Sequence, residues 1–237
     1  MNLILLFKED FVNGTGRARL QGRRLEHVLR VHRARAGDDL KVGLCGGKIG
    51  RGRIILLSEQ CLEMDVALEE PAPPILPVTL AVALPRPAML KRVLSCASAM
   101  GVKKILLFHS SRVEKSFWRS PALSRGAIHE QLVLGLEQAC DTALPDVRLF
   151  TLFKPFVEDE LPTIARGTRA FVGHPEAREA CPGDIKEPAT LVIGPEGGFV
   201  PFEINLLVSQ GFVPVNIGKR ILRVETAVPA FLSKMFY

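Results

Sequence analysis

No apolar run in the 237 residues approaches the ~20 needed to cross a bilayer, so a helical membrane protein is not expected. The opening MNLILLFKED has no basic residue before its short apolar stretch and no small-residue cleavage site after it, which argues against a secretory signal. Cysteine is scarce: Cys45, Cys61, Cys96, Cys140 and Cys181 are odd in number, and no two stand closer than 16 positions. Without CxxC or Cys/His spacing, a disulfide scaffold and a structural zinc site are disfavoured, and free thiols in a reducing cytoplasm are expected. No GxxxxGK[ST] loop, GxGxxG turn, GxSxG elbow or HExxH helix occurs, which disfavours the common nucleotide-fold, esterase and zinc-protease readings. No repeat period or low-complexity tract is found either.

What is present begins with uneven charge. The net charge is +6, yet residues 1–53 hold 12 Lys/Arg against 5 Asp/Glu, while the remainder holds 19 against 20. Arg17, Arg19, Arg23, Arg24, Arg30, Arg33 and Arg35 crowd into nineteen positions, with His27 and His32 between them. Arginine pairs bidentately with phosphate and stacks on bases, so a basic segment of this kind is the footprint of a polyanion partner. A nucleic acid, a merely solvated face and an anionic membrane surface all remain open on charge alone.

The sharpest break in composition is EEPAPPILP, residues 69–77, with four prolines in nine positions. Proline keeps such a segment extended and removes backbone donors, so it reads as a linker. Before it, Asn2–Phe7, Asp39–Leu44, Gly52–Leu57 and Cys61–Ala67 read as short strands of a small β-barrel, with GRRLEHVLRV as a helical insertion. GGKIGRG, residues 46–52, reads as a hairpin turn in that barrel rather than a phosphate loop. After the linker, continuous apolar runs at Val78–Leu84, Lys104–Phe108, Val147–Leu152, Arg169–Gly173, Thr190–Gly194 and Phe212–Ile217 alternate with helical stretches. Those stretches are Pro87–Met100, Pro121–Ala143, Glu158–Ala165, Pro201–Ser209 and Ala227–Phe236. Alternation of this kind predicts an α/β domain with a parallel sheet covered on both faces.

One glycine-rich spot stands apart. LVIGPEGGF, residues 191–199, is a buried strand running into a loop with Gly194, Gly197 and Gly198 and the carboxylate Glu196. Open α/β sheets bind ligands at the carboxyl ends of strands, where glycine lets the backbone approach closely. VPVNIG followed by KRILRVETA, residues 213–227, repeats the arrangement with Gly218, Arg220, Arg223, Glu225 and Thr226. Two such strand ends predict one shared pocket.

These two motifs, with Glu203 just beyond the first, resemble those of the RsmE family, the ribosomal small subunit RNA (uracil-N3) methyltransferases of the SPOUT superfamily. SSRVEKSFW (110–118) resembles the family's Arg-bearing loop after the second strand, and EQACDTALP (137–145) a family helix segment, although Asp141 stands where many members carry Arg. The Arg-rich first 70 residues resemble the family's PUA-like RNA-binding barrel. The resemblance implies a PUA-like β-barrel at 1–70, a linker at 71–77, and a SPOUT domain with a C-terminal trefoil knot at 78–237. It further implies a cytoplasmic homodimer, S-adenosylmethionine as cofactor, no metal, and methylation of uracil N3 in 16S rRNA of the small subunit.

On the same resemblance, the cofactor residues are Gly173 and His174, then Ile193, Gly194, Glu196, Gly197 and Gly198, then Ile217, Gly218, Leu222, Thr226 and Ala227. Arg223 is assigned to the developing uracil anion. Glu225 either accepts the N3 proton or fixes its loop. Arg17, Arg19, Arg23, Arg24, Arg30, Arg33, Arg112 and Lys115 are the expected RNA contacts. Trp118 stacks on a base or anchors a dimer partner, and the apolar final helix offers a dimer face. A knotted transfer-RNA methyltransferase and a non-catalytic RNA-binding factor are the alternatives.

Overall fold

The computed structural model describes residues 2–12 and 16–237. The chain forms two compact units, one of Met1–Pro74 with Val133–Leu144, the other of Ile75–Leu132 with Pro145–Tyr237. Residues 133–144 thus group with the first unit although they follow the proline-rich segment by more than fifty positions.

The first unit is a five-stranded sheet of β1 (Ile4–Leu6), β2 (Arg17–Leu20), β3 (Asp39–Leu44), β4 (Ile49–Leu57) and β5 (Leu62–Glu70), in the order β1-β3-β4-β5-β2. Only β1 and β3 run parallel. One apolar cluster, including Ile4, Leu6, Val42 and Met64, fills one side of the sheet. A second, of Leu3, Leu5, Ile49, Val133 and Leu136, brings in the 133–144 segment. The hairpin turn is shorter than expected: it closes over Cys45–Lys48, and the strand begins at Ile49. Gly50 and Gly52 serve close approach instead. A Cβ at Gly50 would lie 1.8 Å from the Ala67 carbonyl oxygen, and one at Gly52 would lie 2.2 Å from Met64 Sδ. β2 escapes a sequence reading because its arginines merge it into the basic segment, yet Ala18 and Leu20 alternate inward with no exposed surface. The helical insertion is Gly22–His27, continuing as a π-turn over Val28–His32 and ending at Arg33 in the left-handed conformation (φ 51°).

The second unit is a seven-stranded, all-parallel sheet with helices between its strands. Its strands are β6 (Val78–Ala83), β7 (Lys104–Phe108), β8 (Asp146–Phe150), β9 (Arg169–Gly173), β10 (Glu179–Ala180), β11 (Ala189–Ile193) and β12 (Val213–Asn216). Their order is β10-β12-β9-β11-β6-β7-β8. β6 and β11, central and covered on both faces, are buried along their whole length, whereas the edge strand β8 is largely exposed. Such burial contributes about 1.5–3 kcal/mol for each large apolar side chain. The expected α/β architecture with a parallel sheet is therefore present.

Two local expectations are corrected. The stretch Pro121–Ala143 is a 3-10 turn at Pro121–Leu123 followed by a helix over Arg125–Ala139. That helix stops at Cys140, which takes a positive φ of 57°, and the Asp141 carboxylate then accepts the amides of Thr142 and Ala143. The apolar residues of the last helix, Val224–Phe236, do not form a free face. Phe231, Leu232 and Met235 are buried in the chain's own core, because this helix packs on the Pro87–Ala99 helix and on β11.

Candidate active site

The strand order turns around within the sheet: β6 is followed outward by β7 and β8, and the chain then returns to build β9, β11 and β12 on the other side. Ligands of open α/β sheets bind at such switch points, beyond the carboxyl ends of the strands. An open cavity lies at the carboxyl ends of β9, β11 and β12.

Gly173 ends β9 and pairs in register with Ile193 of β11 and Val215 of β12. A Cβ on it would meet Ile193 Cδ1 and the Phe231 ring, each at 2.9 Å, so glycine is what lets the last helix close the cavity wall. The loop 194–200 turns through Gly198, with φ +73° and its amide donating to the Pro195 carbonyl. Four hydrogen bonds hold this region. The Arg86 amide, after β6, donates to Glu196 Oε1 at 3.0 Å. Arg112, after β7, donates to the Gly197 carbonyl. Glu203 is 1% exposed; its Oε1 takes the Ser111 amide at 2.7 Å, and its Oε2 takes the Val200 amide at 3.0 Å, capping the Pro201–Ser209 helix.

Of the cofactor residues expected from sequence, Gly173, His174, Ile193, Gly194, Glu196, Gly198, Ile217, Gly218, Leu222 and Ala227 line the cavity. Gly197 and Thr226 do not: Gly197 turns its carbonyl to Arg112, and Thr226 is exposed in the first turn of the last helix. The structure adds Phe199, Asn216, Arg220, Val224 and Phe231 to the lining. Phe199 belongs to the GPEGGF motif and was legible; Phe231 arrives only through packing of the final helix. Arg223 is the N-cap residue of that helix, its carbonyl accepting the amides of Thr226 and Ala227, and its side chain is exposed. Glu225 is half-buried, and its Oε2 is buried with no hydrogen-bond partner among the described residues. A buried polar atom without a partner costs free energy; neither Arg223 nor Glu225 lines the cavity, although their neighbours Leu222, Val224 and Ala227 do.

The expected RNA contacts divide by their partners. Arg17 pairs with Asp65 at 3.2 Å, Arg19 with Glu63 at 2.6 Å, and Arg30 with Glu26 at 2.9 Å. Arg24 grips both oxygens of Asp10, at 2.6 and 2.7 Å, and donates to the Leu5 carbonyl. Arg23 pairs with Glu137, which is 1% exposed, at 2.9 Å. Burial pushes the Glu137 carboxyl above the usual carboxylate range, and Arg23 pulls it the other way. Arg33 and Lys115 are exposed without an ion-pair partner among the described residues. Trp118 donates its indole N–H to His109 Nδ1 at 3.0 Å. Among the described residues, no three His, Cys, Asp or Glu side chains gather as a metal ion would need, and no helix is long and apolar enough to cross a membrane.

Comparison with known proteins follows the same lines. The family model of an RNA methyltransferase domain matches residues 71–236. The ribosomal RNA small subunit methyltransferase E of Treponema pallidum is 30% identical over 97% of this chain and 88% of its own length. That of Mycobacterium tuberculosis is 27% identical over 97% and 90%. A crystal structure of a ribosomal RNA small subunit methyltransferase E from Neisseria gonorrhoeae, bound to S-adenosyl methionine, superposes with a TM-score of 0.75. It is 22% identical and covers 98% of this chain and 95% of the other, a likeness of fold. By the extent of these matches, the chain belongs to the ribosomal RNA small subunit methyltransferase E family.

Proposed function

We propose that the chain is an S-adenosylmethionine-dependent methyltransferase acting on N3 of one uridine in 16S rRNA of the small ribosomal subunit. The observation that carries the reading is the cavity at the ends of β9, β11 and β12, found in a chain of this family. Its make-up fits the cofactor. Ile193, Leu222 and Phe231 give apolar walls for a purine, and the glycines leave backbone open to approach. Gly173, His174, Ile193, Gly194, Glu196, Gly197, Gly198, Ile217, Gly218, Leu222, Thr226 and Ala227 are the residues proposed to hold it.

When bound, S-adenosylmethionine supplies a methyl group already activated on a sulfonium, so the protein's tasks are alignment and removal of the N3 proton. Arg223, exposed at the head of the last helix, directs positive charge at the uracil oxygens as N3 gives up its proton. Glu225 takes that proton through Oε2.

The domain plan is an RNA-binding, PUA-like module at 1–70, a linker at 71–77 and the methyltransferase domain at 78–237. The insertion of β11 between the earlier strands β6 and β9 supports a trefoil knot. Arg33 and Lys115 lead the RNA contacts, with Arg17, Arg19, Arg30 and Arg112 as further ones. Arg23 and Arg24 act through the fold that they brace. The enzyme works as a cytoplasmic homodimer, a reading supported by family membership.

The test is transfer of labelled methyl from S-adenosylmethionine to unmodified small subunits and, in parallel, to unmodified transfer RNA, with the labelled nucleoside identified by mass spectrometry. 3-Methyluridine from the subunit alone is expected. Label in transfer RNA alone, or at another atom, overturns the reading.

A further inference from the structure

The outward face of the first unit's sheet is arranged in rows fixed by strand register. Asp39 lies opposite Arg53, Arg53 opposite Asp65, and Asp65 opposite Arg17. Signs alternate along this row, and its outer ion pairs are made, Arg53 to Asp39 at 3.4 Å and Arg17 to Asp65 at 3.2 Å. The adjacent row is different. Lys41 lies opposite Arg51, and Arg51 opposite Ala67: two exposed cations with no acid between or beside them in register. Glu69, two positions past Ala67 on β5, makes no ion pair with either among the described residues.

Directly opposed residues of an antiparallel pair have Cβ atoms about 4.5–5.5 Å apart, and like charges there repel. The backbone gives them no escape. Gly50 and Gly52 flank Arg51 where a Cβ would strike Ala67 or Met64, and a one-residue slip would turn Arg51 inward. The next row, Gly43 opposite Ile49, is covered by the 133–144 segment: a Cβ at Gly43 would strike the Thr142 methyl, and Ile49 clusters with Val133 and Leu136. The cation pair therefore sits on fixed strands beside a packed rim. Its standing repulsion is relieved by an anion that bridges an ammonium and a guanidinium, which is the chemistry of a phosphodiester backbone. Most of the basic segment already has its charge matched within the protein, since Arg17, Arg19, Arg23, Arg24, Arg30 and Arg53 each hold a carboxylate.

We infer that Lys41 and Arg51 form a paired phosphate contact for the RNA substrate, on the outward face of β3 and β4. The inference rests on the RNA reading above and adds a surface that the arginine count does not single out. The test compares the full-length wild type with the Lys41→Gln/Arg51→Gln double variant. Binding of unmodified small-subunit RNA is followed by fluorescence anisotropy across ~50–200 mM salt, with circular dichroism and thermal melting as fold controls. Losing two phosphate contacts makes the slope of log affinity against log salt shallower by about 1.4–1.8, and the melting temperature does not fall. Arg53→Gln, whose partner Asp39 lies within the protein, leaves the slope unchanged. A wild-type slope in the double variant overturns the inference, and so does an equal change in Arg53→Gln. Methyl transfer is measured on the same preparations. Transfer with an unaltered slope removes the pair and leaves the reaction standing, whereas an altered slope without transfer to any uridine removes the reaction and leaves the pair.

Discussion

Glu203 and Ser111 lie 92 positions apart in the chain, and the buried carboxylate of the first accepts the backbone amide of the second at 2.7 Å. Because the other oxygen takes the Val200 amide, one side chain ties the loop after β7 to the entry of the helix after β11. Glu203→Ala strands both donors. The expected cost is about 1.5–3 kcal/mol in urea unfolding, the range for hydrogen bonds to a charged group. Calorimetry should show weaker S-adenosylmethionine binding as the 194–200 loop loses its anchor. Unchanged stability would show that the two amides find other acceptors.

Gly173→Ala places a methyl 2.9 Å from both Ile193 Cδ1 and the Phe231 ring. Overpacking of a filled core costs about 1–3 kcal/mol. Since Ile193 and Phe231 both line the cavity, cofactor affinity should fall together with the melting temperature. A variant that melts like the wild type would show that Phe231 can withdraw freely.

Glu137 makes stability depend on pH. Its carboxyl is held above the ordinary ~4.3 chiefly by burial, against the opposing pull of Arg23. An acid whose folded-state pKa exceeds its unfolded value holds its proton more tightly when folded. Stability therefore falls as pH rises from the ordinary value through the raised one, and the full penalty applies above it. Glu137→Gln should gain on the wild type as pH rises through that window in urea titrations. Arg23→Ala should widen the window and cost about 2–3 kcal/mol at neutral pH, a buried-pair loss discounted for an Arg23 side chain 42% exposed. A stability difference between wild type and Glu137→Gln that is independent of pH would contradict this.

The parallel sheet was legible because β6, β7, β9 and β11 are continuous apolar runs, as strands covered on both faces must be. The Pro201–Ser209 helix was legible at both ends, with proline starting it where no amide donor is needed. β2 was not, because Arg17 and Arg19 drew the eye to charge rather than to the buried Ala18 and Leu20 between them. The cavity's glycine loops could be read from motifs, but Asn216 and Phe231 enter the wall only once strands and the last helix have assembled. The fate of the arginines was the least legible feature. Arg17, Arg19 and Arg23 find their carboxylates 48, 44 and 114 positions away, and only the strand register reveals that Lys41 and Arg51 were left without one.

The proposed chemistry separates Arg223 from Glu225 by what each substitution leaves intact. Arg223 contributes its carbonyl to the helix start through the backbone, so Arg223→Ala keeps the fold and the cavity while removing a charge aimed at the forming anion. Turnover should fall roughly 10²–10³-fold, the usual loss for one such electrostatic contact, with cofactor binding within a few-fold of wild type. Glu225→Gln keeps size and removes the proton acceptor, so turnover should fall about 10²–10⁴-fold. The two variants then differ in their response to pH. Uracil N3–H is a weak acid, and a rising supply of hydroxide replaces a missing base but not a missing cation. Activity of Glu225→Gln should recover as pH is raised, while Arg223→Ala should stay depressed. Equal recovery in both would assign Glu225 to holding its loop, and unchanged turnover in Arg223→Ala would remove that residue from the reaction.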